Sequence, residues 1–163
     1  MKKISIGFVL TLLHVTVWAV CPSWPSGERF TVTGAEVSDV RTGLTWKRCS
    51  EGQSWSGIAC TGTATSPTHE AALTLAKNAN PGQSATGWRL PNVKELGSLA
   101  DKGCNFPAID RAVFPDTPRS FTWSSSPDAG NPASAWGVNF NSGAIGVRKR
   151  DLAGHVRLVR VSP

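Results

Sequence analysis

The chain lacks tyrosine, has one methionine and three histidines, and contains none of the short motifs that mark several common kinds of site. No C-x-x-C pair is present, and His14, His69 and His155 have no ligand-like spacing with the cysteines, so a zinc site is not indicated. No G-x-S-x-G motif occurs, which argues against a hydrolase-type serine nucleophile. We therefore expect no metal, no cofactor and no catalytic residue.

Repetitive sequence and a strong excess of charge are also absent. The chain has no Gly-X-Y run, internal repeat or low-complexity tract, which excludes a collagen-like stalk within it. Its 17 Lys and Arg residues against 11 acidic ones give a net charge of +6, and +4 without Lys2 and Lys3. This mild bias favours anionic partners. No predicted helix carries a basic face suited to a nucleic-acid groove, so we expect no nucleic-acid binding.

The N-terminus has the layout of a secretory signal peptide. Lys2 and Lys3 precede a largely apolar run over residues 4–20. Val17 and Ala19 provide the small-residue pattern of a cleavage site, so we predict cleavage after Ala19.

Residues 1–19 are thus interpreted as a signal peptide, and residues 20–163 as one domain. A retained membrane anchor fits less well, because the apolar run is short for a span and the chain then turns to Cys21-Pro22. A lipidated Cys21 would follow Val20, which is too large for a good lipoprotein cleavage site. We expect export to the periplasm, the cell surface or the medium, with no stable membrane span after cleavage.

The four cysteines agree with an oxidising compartment. Cys21, Cys49, Cys60 and Cys104 allow three pairings. A local Cys49–Cys60 disulfide would close the Gly/Ser-rich loop between these residues and leave Cys21 to pair with Cys104.

The first part of the mature chain predicts a β-hairpin followed by a loop. Residues 29–40 read as extended, 41–43 as a turn, and Leu44-Thr45-Trp46 alternates as a half-buried strand does. Residues 50–66 are rich in Gly, Thr and Ser and predict a loop.

Two helices are predicted next. Ser66-Pro67 provides an N-cap and a first helical residue, and Asn78–Gly82 ends this helix because Pro81 cannot continue it. Asn92 and Glu95 form a capping-box pattern for a second helix, which Gly103 ends.

The remaining chain predicts irregular structure and then strands. Residues 106–119 carry three prolines and no sustained period, and residues 121–123 give a short strand signal. Ser124-Ser125-Ser126 is interpreted as a turn in which hydroxyls bond the backbone. Residues 135–147 predict a hairpin around Asn141-Ser142-Gly143, and residues 155–160 predict the last strand.

Basic side chains are concentrated near the end of the chain. Arg148, Lys149 and Arg150 follow the predicted hairpin, and Arg157 and Arg160 come soon after. These residues are candidates for contact with sulfate or phosphate, with the first three preferred. Alternation in the last strand predicts that Arg160 points inward and Arg157 outward. Exposed members of the seven tryptophans could stack on sugar rings.

A series of short motifs, each weak alone, occurs in one order along most of the mature chain. They are Val37-Ser38-Asp39, Thr42-Gly43-Leu44-Thr45-Trp46-Lys47-Arg48-Cys49, Glu51-Gly52-Gln53-Ser54-Trp55, Cys60-Thr61-Gly62, Trp88-Arg89-Leu90-Pro91-Asn92-Val93-Lys94-Glu95-Leu96, Pro107-Ala108-Ile109-Asp110, Phe114-Pro115, Trp123-Ser124-Ser125-Ser126, Trp136-Gly137-Val138-Asn139-Phe140 and Val156-Arg157-Leu158-Val159-Arg160. In this combination the chain, from about residue 30 to residue 160, resembles the Lcl C-terminal domain family, whose namesake is the C-terminal domain of the Legionella collagen-like adhesin.

The resemblance implies an exported bacterial protein similar to an adhesin head that recognises sulfated glycosaminoglycans. It also implies an α+β fold, C-type-lectin-like or formylglycine-generating-enzyme-like, with a twisted antiparallel sheet, two helices, long loops and disulfide staples. The chain departs from the family at His69, where members often carry Trp, and at Gly87, where they often carry Asp. We expect a partly buried structural role or a surface role for His69, and not a catalytic one.

The residues that the known activities of the similar folds require are missing from this sequence. A formylglycine-generating enzyme would need reactive cysteines late in the chain, and none follows Cys104. A calcium-dependent lectin would need an acid beside Asn131-Pro132, or an Asp directly after Trp136-Gly137-Val138-Asn139, and neither is present.

The Trp-Arg-Leu-Pro-Asn block at residues 88–92 is interpreted as structural. Its residues fit core, cap and backbone-bonding roles rather than chemistry. The structural candidates are Trp88, Arg89, Leu90, Pro91 and Asn92, together with Trp123 and Arg160.

Two functions from different classes therefore remain. The first is an exported, non-catalytic module that binds sulfated or other anionic glycans, which predicts that Arg148, Lys149 and Arg150 share an exposed face. The second is a structural component of the cell envelope that binds other envelope proteins, which predicts an exposed apolar patch.

Overall fold

The computed structural model describes residues 26–82, 84–103 and 106–162. Within these ranges it is a mixed fold of short helices and antiparallel strands. The elements are α1 (Ser26–Arg29), β1 (Phe30–Thr33), β2 (Glu36–Asp39), β3 (Leu44–Lys47), β4 (Gln53–Trp55), β5 (Cys60–Gly62), α2 (His69–Asn78), α3 (Val93–Ser98), β6 (Phe121–Pro127), β7 (Ser134–Asn139), β8 (Ala144–Lys149) and β9 (Val159–Val161).

The strands of the described residues form three sheets, where the family resemblance implied one. Their orders are β1-β2-β3-β9, β4-β5 and β6-β7-β8, and all pairs within them are antiparallel. The predicted first hairpin is present as β2–β3, but residues 29–40, predicted as one extended segment, are divided into β1 and β2. The predicted hairpin over residues 135–147 is confirmed as β7–β8.

The segment predicted as a loop, residues 50–66, contains the small hairpin β4–β5. The backbone φ of Gly52 is +89°, and a Cβ atom there would lie 2.5 Å from the carbonyl oxygen of Thr63. Glycine is therefore required where the two arms of this hairpin approach each other. One of the glycines that suggested a loop is thus a requirement of this tight hairpin.

The local disulfide between Cys49 and Cys60 is confirmed, with Cα atoms 5.5 Å apart. Because Cys49 lies just after β3 and Cys60 begins β5, the bond ties the small hairpin to the four-stranded sheet. The predicted Cys21–Cys104 pairing and the predicted signal peptide lie outside the described residues. No helix in the described part of the chain is long and apolar enough to cross a membrane.

Both predicted helices are present, but with shifted ends. The first begins later than predicted, because the Thr68 side chain, and not Ser66, accepts from the backbone N–H of Ala71. The second has the predicted capping box between Asn92 and Glu95, with both hydrogen bonds present. It ends at Ser98, well before Gly103.

The predicted last strand over residues 155–160 is only partly formed. His155 pairs with the open side of β6 through hydrogen bonds to Phe121 and Trp123. The chain then crosses to β3, where regular pairing begins at Val159. Residues 155–158 thus connect two sheets, so side-chain alternation does not apply to them.

Two apolar clusters share the sheet β6-β7-β8. The register pairs Thr122 with Val138 and Trp123 with Gly137, so Val138 and Trp123 lie on opposite faces. Val138 belongs to the cluster around Leu96 of α3, and Trp123 to the cluster around Ala72 of α2. One sheet therefore holds both helices. Because α2 and α3 are anchored to it, the two ends of the segment between them are fixed in position.

We predict that replacing both Cys49 and Cys60 with Ser lowers the free energy of unfolding by about 3 kcal/mol. The bond closes a loop with a sequence separation of 11, and restricting the unfolded chain over about that length has this effect. The measurement is urea unfolding of the oxidised mature protein and the double variant. A midpoint that does not move would show that the unfolded chain is already constrained there.

Candidate functional site

Arg148 and Arg150 are partly engaged by the protein itself. The Arg148 guanidinium lies 5.0 Å from the centroid of the Phe121 ring and donates to the carbonyl oxygen of Ala153. Arg150 donates from Nε to the carbonyl oxygen of Ser134 at 3.1 Å. Both side chains are half-buried and still have further N–H groups to offer a ligand.

The predicted shared face of Arg148, Lys149 and Arg150 is not formed. Arg148 pairs with Ala135 and Lys149 with Ser134 at the end of β8, and adjacent strand residues point to opposite sides. Lys149 is exposed. None of the three cations pairs with an acid among the described residues, whereas Lys47, Arg89 and other cations do.

The prediction that Arg157 points outward is wrong. Its side chain is 1% exposed, and it donates to the carbonyl oxygens of Lys47 and Arg48 and to the hydroxyls of Ser50 and Thr117. Burial lowers its pKa to about 9, so the guanidinium is still charged at neutral pH. Arg157 is therefore a structural side chain without access to a surface ligand.

The prediction that Arg160 points into the core is wrong. It is half-buried beside the four-stranded sheet, where it donates to Glu36 at 2.7 Å. Its Cζ atom lies 5.2 Å from the centroid of the Trp88 ring. Arg160 pairs with Thr45, on the face of the sheet opposite to the buried Trp46 and Val159, so its side chain points away from that core.

The block from Trp88 to Asn92 makes structural contacts. Arg89 donates two hydrogen bonds of 2.8 Å to the Glu95 carboxylate, and its backbone bridges Val159. Burial by itself would raise the pKa of Glu95, but Arg89 and the backbone of Asn92 outweigh it, and the pKa is lowered. Leu90 is buried, and the Pro91 carbonyl accepts from β6.

His69 and Trp123 form a buried pair, with ring centroids 5.1 Å apart. His69 Nε2 lies 2.9 Å from the carbonyl oxygen of Ser124, and its Nδ1 has no partner among the described residues. Burial is the main cause that lowers the pKa of His69, with a smaller contribution from Arg150. Ser124 lies within β6 and not in the predicted turn, although its hydroxyl does bond the backbone, at Trp136.

A cleft with two tryptophans in its lining was not predicted from the sequence. Trp55 of β4 and Trp88 are both half-buried and line a cavity of about 310 Å³, together with Glu36, Glu51 and Gln53. Of the other described tryptophans, Trp46 and Trp123 are fully buried and Trp136 is half-buried. Composition could not distinguish these environments.

Cations lie against both tryptophans of the cleft. The Cζ atom of Arg48 is 3.7 Å from the Trp55 ring centroid, and Arg48 is itself held by the carbonyl oxygens of Val113 and Ala112. Lys47 Nζ lies 5.7 Å from the Trp88 ring centroid. Such cation–π contacts favour the observed orientation of both rings.

The sequence model of the Lcl C-terminal domain matches residues 35–160, which include the cleft and the basic end of β8. The chain belongs to the Lcl C-terminal domain family. No curated protein matches the chain in a sequence search. The family motifs lie in this structure at the capping box, at the buried Arg157 and around the Cys49–Cys60 bond. Glu51, Gln53, Trp55 and Trp88 of the cleft also belong to these motifs, whereas Arg148, Lys149 and Arg150 do not.

In this Lcl C-terminal domain, we predict that Arg157→Met lowers the free energy of unfolding by about 3 kcal/mol or more. The substitution keeps most of the side-chain volume but leaves several buried acceptors without a donor, each costing about 1–3 kcal/mol. Chemical denaturation would measure it, with Arg150→Met as the control for loss of one charge. A loss below about 1 kcal/mol would contradict the assigned role.

We also predict that the domain loses stability as the pH falls below about 6.5, through His69. The folded state holds the buried imidazole neutral, so the unfolded state binds its proton more readily. The contribution is therefore fully present above the unfolded pKa and is lost on acidification, with a slope of at most about 1.4 kcal/mol per pH unit.

The measurement is the free energy of unfolding between about pH 5 and 8 for the native chain and His69→Gln. Groups other than His69 titrate in both proteins, so the difference between the two curves isolates its contribution. Parallel curves would show that His69 does not titrate differently on folding.

Proposed function

We propose that this chain is an exported, non-catalytic binding module that recognises anionic, sulfated glycans in the manner of an adhesin head. The observation that carries the proposal is the run Arg148, Lys149 and Arg150, which has no acid partner in the described part of the chain. Membership in a family associated with an adhesin supports the same class of function.

The alternating geometry of these cations favours a linear polyanion over a small anion. Arg148 and Lys149 lie on opposite sides of β8, which forms the outer strand of its sheet. A sulfated chain lying along the strand end can contact both sides, whereas a single sulfate cannot. The spare guanidinium N–H groups suit sulfate oxygens, since Arg can donate two parallel hydrogen bonds.

The proposal includes the finer fold assignment and the location. We infer a C-type-lectin-like or formylglycine-generating-enzyme-like arrangement for the mixed helices and antiparallel sheets, used for binding rather than catalysis. A disulfide is consistent with an oxidising compartment outside the cytoplasm.

One observation favours the second candidate, a module that binds envelope proteins. Ile145 and Val147 of the outer strand β8 are 53% and 47% exposed on one face. An outer strand with exposed β-branched residues can pair with a strand of another protein.

We predict that the oxidised mature domain is retained on immobilised heparin and that changing Arg148, Lys149 and Arg150 together to Gln reduces the salt needed for elution. Gln is chosen because it keeps part of the Arg148 stem packed on Phe121. Weakening with salt is expected because exposed charges are screened, within about 8 Å at physiological ionic strength.

The matched control removes the same charge elsewhere, by changing the exposed Lys94, Lys102 and Arg111 to Gln. The proposal requires the first triple variant to elute earlier than the control. Equal elution of both variants would show that retention depends only on net charge and not on this site. No retention of the native domain would favour a protein partner.

A further inference from the structure

From the cleft between Trp55 and Trp88 we infer a second binding site, separate from the basic end of β8, that takes an uncharged sugar ring. The cleft has a volume of about 310 Å³, and none of its lining residues belongs to β8. This volume is at the small end of the about 300–1,000 Å³ found for ligand pockets. It therefore fits one or two rings.

Both tryptophans are held by the surrounding structure, Trp88 by packing on the apolar cluster around Ala72. The Cys49–Cys60 bond and the pairing of Trp55 with Cys60 attach β4 firmly beside the sheet. Arg48 stacks on one face of Trp55, so the opposite face is the one that can receive a ligand. A preorganised indole provides a large contact surface at little entropic cost, and the C–H face of a sugar ring is the matching apolar surface.

The polar groups of the cleft fit hydroxyls. Glu36 and Glu51 each use one carboxylate oxygen in an ion pair, with Arg160 and Lys47 respectively, at 2.7 Å. The second oxygen of each can accept a hydroxyl, while the paired cations can donate to one. In addition, Gln53 Oε1 is buried with no partner among the described residues, and a buried acceptor of this kind is normally satisfied.

The charges of the cleft exclude other ligand classes. Each acid is matched by a cation, so a sulfate would have to compete with Glu36 and Glu51 for Arg160 and Lys47. A quaternary ammonium would bring a further positive charge against rings that Arg48, Lys47 and Arg160 already contact. A ligand with hydroxyls and no charge meets neither obstacle.

The test is ligand-observed saturation-transfer NMR on the oxidised mature protein with uncharged trisaccharides as probes. The probes are the α-linked and β-linked glucose trisaccharides and the trisaccharide of N-acetylglucosamine, each at millimolar concentration. At least one should show saturation of its ring C–H protons, unchanged between low and high salt. No response to any of the three would overturn the inference.

The variants are Trp55→Ala and Trp88→Ala, with Trp136→Ala as the matched control, since Trp136 is a half-buried tryptophan outside the cleft. Loss of an aromatic anchor should raise the Kd of the responding sugar by about tenfold or more. Glu51→Gln, which keeps the shape of the site, is the second variant if Trp88→Ala does not fold. Binding that survives both cleft substitutions, or that Trp136→Ala removes equally, would overturn the inference.

This site does not depend on the proposed recognition of sulfated glycans. The variant with Arg148, Lys149 and Arg150 changed to Gln should bind the uncharged sugar as the native domain does. Failure on heparin together with success here would leave a sugar-binding domain of different specificity.

Discussion

The buried guanidinium of Arg157 is the constraint on which the rest of the domain depends. Four groups from two segments surround it: the carbonyl oxygens of Lys47 and Arg48, and the hydroxyls of Ser50 and Thr117. A charge without access to water is stable only when its donors are satisfied, so these segments have little freedom to move apart. The segment 47–50 also contains Cys49 and Arg48. Cys49 holds the hairpin β4–β5 through its disulfide bond, and Arg48 contacts Trp55 of that hairpin.

Charged side chains are distributed unevenly over the domain. Around the cleft, Lys47 and Arg160 are matched by Glu51 and Glu36. At the end of β8, the cations have no acid partner in the described residues. Paired charges orient side chains and cancel at a distance, whereas unpaired ones attract a counterion or a ligand. The two surfaces therefore suit different chemistry, although the net charge of the whole chain is small.

Several local signals were interpreted correctly, although the N-cap predicted at Ser66 lies at Thr68 and the turn predicted at residues 124–126 is part of β6. The capping box at Asn92 and Glu95 depends on hydrogen bonds within four residues, and it is present as predicted. The turn of the β7–β8 hairpin and the short Cys49–Cys60 loop are likewise local. The orientations of Arg157 and Arg160 were wrong because they depend on residues about 40 to 124 positions away. The apolar alternation of residues 155–160 carries no information about those distant partners.

The sequence by itself determined the class of the domain: its family, its two helices with the cap of the second, and two of its hairpins. Each follows from short-range preferences or from a specific order of motifs. Only the tertiary structure decided which of the described tryptophans reach solvent and which cations are compensated. Both depend on packing between segments that are distant along the chain. Trp46 and Trp55 are nine positions apart in one stretch of sequence, yet one is fully buried and the other lines a cleft.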